Sequence, residues 1–122
     1  MAPRIFQIAY NEALMRVREM VLVQNGYSVA SAPGSAEARR LLVLEAPYDA
    51  FLVGWSMPSN QRKDIVLWLK QHWPKVPVVA IHDAFQSPTP GADVCTAHDT
   101  PEEWIGAVKA ATQKIWDDNT SA

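Results

Sequence analysis

Two histidine–aspartate pairs are the residues of this sequence whose types and spacing come closest to a chemical site. His82 precedes Asp83, and His98 precedes Asp99. Each pair follows a short apolar run typical of a strand, so both are expected at the carboxyl edge of a sheet, where open α/β folds bind ligands. Two imidazoles with neighbouring carboxylates could bind a metal or an anion. The alternative is two partly exposed histidines without a ligand, because no spacing motif supports a metal site.

Catalysis by these pairs lacks a nucleophile, because no serine or cysteine is placed with them. The single cysteine, Cys95, lies in a predicted strand, where a small buried hydrophobic side chain is its more typical role. One cysteine forms neither a disulfide nor a cysteine-based zinc site within a chain. We therefore predict no catalytic residue, no metal and no cofactor, and the chain is not predicted to be an enzyme.

The elements that would position these residues are short apolar runs alternating with helical patterns. Strands are predicted at Arg4–Ala9, Tyr27–Ala30, Asp49–Gly54, Val76–Ile81 and Ala92–Thr96. Helices are predicted from the Asn11 cap to Asn25, over Ala36–Glu45, from Gln61 to Trp73 and from the Thr100 cap to Trp116. This alternation predicts an α/β fold, a doubly wound five-stranded parallel sheet. Asp83–Gly91 holds two prolines and is short, so the fourth of five helices is expected to be shortened or missing.

Helix periodicity predicts which side chains face the core. The first helix has Leu14, Val17 and Val21 at i, i+3 and i+7. The stripe of the third helix is Val66, Leu69 and Trp73, and that of the last helix begins with Trp104 and Val108.

Length and composition fit one soluble domain. The 122 residues predict a single domain over 1–122, with an ordered core over about 3–116 and a frayed tail over 117–122. A hydrophobic fraction of 48% with 20% charged residues excludes wholesale disorder. A net charge of −2 without a basic cluster disfavours nucleic acid as the main ligand. With no long apolar run, no membrane association is predicted, and the expected location is the cytoplasm.

Four segments in order resemble the receiver domain of bacterial response regulators, and the resemblance extends from Arg4 to about Ala111. The segments are Asp49–Pro58, Trp73–Ala80, Gly91–Asp93 and Pro101–Glu103. The resemblance implies a flavodoxin-like sheet of order 2-1-3-4-5. It also implies phosphorylation of an aspartate after the third strand, with Mg²⁺ held by an acidic pair after the first strand. A hydroxyl residue after the fourth strand and a lysine after the fifth would bind the phosphoryl group.

This sequence replaces each of those residues. The acidic pair maps to Ala9 and Tyr10, the phosphoacceptor to Gly54, the hydroxyl residue to His82 and the lysine to His98, within one residue. The switch aromatic maps to Cys95. Glycine offers no nucleophile, and alanine and tyrosine do not replace two carboxylates around Mg²⁺. The resemblance is therefore to a degenerate pseudo-receiver, in which Tyr10 either covers Gly54 or points outward and leaves a pocket for a small molecule.

Four residues are candidates for a partner surface. Trp68 lies about 200° from Val66 around the third helix, at 100° per residue, so Trp68 and Ile65 could form an exposed apolar patch. The alternative is that Trp68 packs on a neighbouring helix. Phe85 lies in the proline-bearing segment, and Trp104 lies on the last helix, where a core position is its more common role.

The sequence thus predicts a signalling module of a bacterial two-component-type pathway. It would act by protein–protein interaction without phosphorylation. The sequence does not decide between a monomer and a homodimer. The alternative function is a small-molecule or metal sensor that uses the emptied pocket around Gly54, Tyr10, His82 and His98.

Overall fold

The fold is an α/β sandwich of three layers. A computed structural model describes residues 2–42, 48–56, 58–82, 89–97 and 101–120. The strands are β1 (Arg4–Ala9), β2 (Ser28–Pro33), β3 (Ala50–Val53), β4 (Val78–His82) and β5 (Val94–Ala97). The helices are α1 (Glu12–Gln24), α2 (Ser35–Leu42), α3 (Ser59–His72) and α4 (Pro101–Thr120).

All strand pairs are parallel, in the order β2-β1-β3-β4-β5, which confirms the predicted sheet. The register pairs Ile8 with Val53, and the Gly54 amide extends the ladder by donating to the Ile8 carbonyl at 2.8 Å. The residues that follow on these strands, Ala9 and Gly54, therefore meet at the carboxyl edge.

Each face of the sheet has its own hydrophobic core. One face, with Phe6, Ile8 and Phe51, packs against α2 and α3. The opposite face, with Ile5, Leu52 and Val79, packs against α1 and α4. Side chains alternate between the two faces along a strand, so Ala9 and Gly54 belong to the face that α1 covers.

Two predicted helix features concern the end of the chain and the connection between β4 and β5. The last helix continues to Thr120, four residues beyond the end predicted near Trp116. No glycine or proline interrupts the sequence from 107 to 120, which explains the longer helix. Four helices are present in the described residues, and the described part of the β4–β5 connection, 89–93, is a turn.

The orientation of α1 differs from the prediction. Asn11 caps the helix as predicted, accepting from the Leu14 amide at 3.0 Å. Val17, however, is 55% exposed, while Arg18 is buried at 4% exposure beside Leu22. The apolar residues of α1 occupy more than one face, so their spacing alone did not define the face that packs on the sheet.

Candidate functional site

The predicted phosphorylation pocket is centred on Gly54, and the structure brings Ala9 beside it. A Cβ added to Gly54 would lie 3.3 Å from the Ala9 Cβ and 3.4 Å from the Ile8 carbonyl oxygen. Ala9 itself is fully buried. Neither residue has a side chain that could hold a metal or accept a phosphoryl group.

The side chain that fills this space is Arg18, which the sequence analysis did not identify. Its Nη1 would lie 2.9 Å from a Cβ on Gly54, closer than any other atom outside the neighbouring residues. Burial lowers the pKa of the Arg18 guanidinium to about 10, so the group remains a cation at neutral pH. A receiver-like pocket that would need carboxylates thus contains a fixed positive charge.

Arg18 has no acceptor for its buried Nη1 among the described residues. A buried, uncompensated charge is strongly unfavourable, and proteins commonly neutralise or pair such a group. The position of Arg18 four residues before Leu22 is the feature of the sequence that could have predicted its burial, because residues four apart lie on the same helix face.

Tyr10 contacts residues other than Gly54 at this edge of the sheet. Its ring lies against Gly34, at the start of α2, and its hydroxyl donates to Gln61 Oε1 on α3. The side chain is 40% exposed and is not among the three nearest contacts of a Gly54 Cβ. Tyr10 therefore ties α3 to the end of β1, while Arg18 occupies the space beside Gly54.

A second buried arginine holds the loop that follows β3. Arg62, on α3, is 3% exposed and donates from Nη1 to the Trp55 carbonyl at 3.3 Å. Ser56, next in this loop, has a buried hydroxyl with no hydrogen-bond partner within the described part of the chain. Guanidinium groups thus lie on both sides of the residues that follow Gly54.

The other predicted pocket residues are only partly described. His82 is half-buried at the end of β4, where its register partner is Ala97. Cys95 is half-buried in β5 opposite Ala80, with its Sγ 3.8 Å from the Thr89 carbonyl oxygen. His98 and Phe85 lie outside the described residues. Within the described ranges, no three histidine, cysteine or acidic side chains come together as metal ligands.

Two of the four residues predicted for a partner surface are buried in the structure. Ile65 is fully buried between α3 and the sheet, and Trp104 is 4% exposed in the opposite core. Trp68 is half-buried, as the packing alternative predicted: its ring centroid lies 5.5 Å from that of Trp73, and the Arg39 guanidinium lies 5.4 Å from its centre. The face of α3 that packs on the sheet includes Ile65 as well as Val66, which is why Ile65 is not exposed.

The large exposed apolar side chains are instead concentrated on α1. Val17, Met20 and Val23 are 55%, 62% and 59% exposed. A shallow depression of about 330 Å³ is lined by Met20 and Val23 with the neighbouring polar residues Glu19 and Gln24. The outward side of α1 is thus apolar, while its inward side contains an arginine.

Solved structures with the same architecture are response regulator receiver domains. A CheY-like receiver domain protein from Methanospirillum hungatei superposes with a TM-score of 0.80 at 14% identity, over 100% of both chains. The chemotaxis response regulator CheY4 of Vibrio cholerae gives 0.78 at 14% identity, over 91% of this chain and 99% of its own. The response regulator TrrA from Thermotoga maritima, in complex with Mg²⁺ and BeF, gives 0.77 at 14% identity, over 94% and 99%.

These likenesses establish the receiver fold that the sequence predicted. No family model and no curated protein matches the sequence. Among the described helices, none is long and apolar enough to cross a bilayer.

Proposed function

We propose that this receiver-fold chain is a signalling module of a two-component-type pathway that acts through protein–protein contacts and not through aspartyl phosphorylation. The observation that carries the proposal is the Arg18 guanidinium against Gly54, at the position of the phosphoacceptor. The chain keeps the sheet and both cores of the fold while the pocket has exchanged carboxylates for a cation.

The chemistry of phosphoryl transfer supports this proposal. Mg²⁺ binds oxygen ligands, and residues 9–11 and 54–56 include no carboxylate. A guanidinium beside Gly54 also repels a divalent cation at close range. The same repulsion argues against the metal-sensing form of the alternative function, and the proposed module has no catalytic role.

We expect no phosphorylation when the purified protein is incubated with acetyl phosphate and Mg²⁺. Glycine supplies no carboxylate to attack the phosphoryl donor, so the intact mass should be unchanged. Beryllofluoride with Mg²⁺ should likewise leave the melting temperature unchanged. A conventional receiver treated in parallel provides the positive control, and a hydroxylamine-sensitive acyl phosphate on this chain would contradict the proposal.

The outward face of α1 is the surface we propose for the contact. Ala13, Val17, Met20 and Gln24 follow one another at intervals of four, three and four residues, and all four are exposed. That spacing is the seam by which one helix packs along another. We therefore propose an amphipathic helix of a partner protein as the occupant, lying along α1.

Met20→Glu should abolish this contact without unfolding the protein. Met20 is 62% exposed, so a carboxylate there costs little in the isolated chain but would be desolvated beneath a partner helix. Lys63→Glu, exposed on α3 at the opposite face of the sheet, is the control.

The measurement is the dissociation constant for a partner identified by affinity purification and then purified. We expect at least a tenfold weaker complex for Met20→Glu, and a change of less than threefold for Lys63→Glu. Equal effects of the two substitutions would exclude the α1 seam. A melting temperature within about 2 °C of wild type confirms that the variants are folded. Size-exclusion chromatography with light scattering shows whether the occupant is a second copy of the chain, which would replace the proposed partner.

A further inference from the structure

Arg18 has an energetic cost that packing alone does not explain. The residue is 4% exposed, and its Nη1 is fully shielded from solvent without an acceptor among the described residues. Methionine or leucine would fill a similar volume without desolvating a charge. A buried group held in an unfavourable state points to a function, because such states persist where a ligand or reaction uses them.

The Arg18 side chain reaches the edge of the sheet where folds of this kind bind ligands. Its guanidinium lies beyond the carboxyl end of β3, next to Gly54 and Ala9, where open parallel sheets bind small molecules. The Ser56 hydroxyl, two residues after Gly54, is also buried without a partner in the described ranges. Two hydrogen-bond donors that lack acceptors are therefore associated with the same short segment.

We propose that this pocket is an oxyanion site, in which the Arg18 guanidinium binds a carboxylate or phosphate group over Gly54. Arginine matches both groups with two parallel N–H···O bonds. Gly54 leaves room for the guanidinium in this position, because a Cβ there would lie 2.9 Å from Nη1 and the flexible end of Arg18 would have to shift. The inference rests on the proposed absence of phosphorylation, since a phosphorylated pocket would hold a metal and not an arginine.

A ligand would enter by displacing the flexible end of Arg18 slightly from Gly54. The guanidinium now occupies the space that the missing side chain leaves, and a bound oxyanion would take part of that space while pairing with the charge. Gln7 provides the internal alternative, because its buried Oε1 also lacks a partner among the described residues and lies on the same face of β1 as Ala9. The experiment must therefore separate an external anion from an acceptor within the protein.

The test is thermal unfolding in increasing potassium phosphate or sodium acetate, with ionic strength held constant by sodium chloride. We expect the melting temperature to rise by roughly 8 °C when the anion reaches one hundred times its dissociation constant. The rise should disappear in Arg18→Met and persist in Arg16→Met, whose guanidinium is exposed on the same helix. Arg18→Lys keeps the charge without the paired donors, so it should weaken binding at least tenfold.

Amide chemical shifts localise the site. Both anions should shift the Gly54 and Ser56 amides of the wild-type protein with the same concentration dependence as the melting temperature. A larger response to phosphate assigns a phosphate compound as the ligand, and a larger response to acetate assigns a carboxylate, whether free or on a partner's acidic side chain.

Two results would overturn the inference. One is an unchanged melting temperature with both anions. The other is an equal rise in Arg18→Met, which would show non-specific stabilisation. If neither anion raises the melting temperature of the wild-type protein and Gln7→Leu lowers it, the acceptor for Arg18 would be Gln7 within the protein. Neither result would change the mass expected after treatment with acetyl phosphate. The anion site and the absence of phosphorylation are therefore tested separately.

Discussion

Arg18→Met is expected to stabilise the protein by about 1–3 kcal/mol in a buffer free of phosphate and carboxylates, raising the melting temperature by roughly 4–10 °C. The substitution removes a desolvated cation whose Nη1 has no described acceptor and replaces it with a flexible apolar side chain of similar length. Most substitutions at buried positions destabilise a protein, so a gain at a site with 4% exposure is an uncommon and diagnostic result.

The pH dependence of this gain has a definite sign. Burial lowers the pKa of Arg18 to about 10 in the folded protein, well below its ordinary value in the unfolded chain. Below pH 9 the guanidinium is charged in both states, so the advantage of Arg18→Met should be constant. Above pH 10 the folded wild-type protein releases the proton first, so its stability should rise toward that of the variant.

Arg16→Met is the matched control for the stability measurement, because Arg16 is exposed on the same helix. Its free energy of unfolding should change by less than about 0.5 kcal/mol. The free energy of unfolding of both variants is measured by chemical denaturation, followed with one probe of tertiary structure. A loss of stability in Arg18→Met would show that the guanidinium has a stabilising partner in the protein.

The sheet was predictable because its central strands have an uninterrupted apolar pattern. Ala50–Val53 and Val78–Ile81 are buried on both faces, which leaves few alternatives to parallel strands covered by helices. Strand ends differ from the predictions by a few residues, and the longest difference is at β2. This edge strand continues to Pro33, where proline ends the pairing with Ala9.

The site was predictable only as far as the backbone determines it. The mapping onto Ala9 and Gly54 depends on the register of β1 and β3, and the structure places these residues together. The occupant of the pocket depends on the rotation of α1, which the pattern left ambiguous. Leu14, Val17 and Val21 form one apolar stripe; Val21 packs against the core, but Val17 is exposed, and the buried residues of α1 are Arg18 and Leu22. A charged residue is normally excluded from a predicted core, so sequence reasoning includes Val17 and omits Arg18 here.

Gly54→Asp should increase stability relative to Gly54→Ala by about 2–3 kcal/mol, because it gives Arg18 Nη1 the buried acceptor that it lacks among the described residues. The alanine variant isolates the steric cost. Its Cβ would lie 2.9 Å from Arg18 Nη1 and 3.3 Å from the Ala9 Cβ, so it should be about 1 kcal/mol less stable than wild type. The aspartate variant has the same Cβ and adds a carboxylate within reach of the guanidinium.

A double-mutant cycle with Arg18→Met measures the pairing directly. The preference for aspartate over alanine at position 54 should disappear or reverse when Arg18 is methionine, because the carboxylate would then be buried without a cation. In the Arg18 background the introduced carboxylate should have a pKa below its usual value, so its stabilisation is complete at neutral pH and is lost as pH falls through that pKa. If the aspartate preference were equal in both backgrounds, the guanidinium would not face position 54.

The Gly54→Asp variant should also stay unphosphorylated by acetyl phosphate and Mg²⁺. Ala9 and Tyr10 supply no metal-binding carboxylate, and the Arg18 guanidinium already occupies the oxygens of the introduced carboxylate. Restoring the aspartate alone would therefore strengthen the fold without restoring the chemistry.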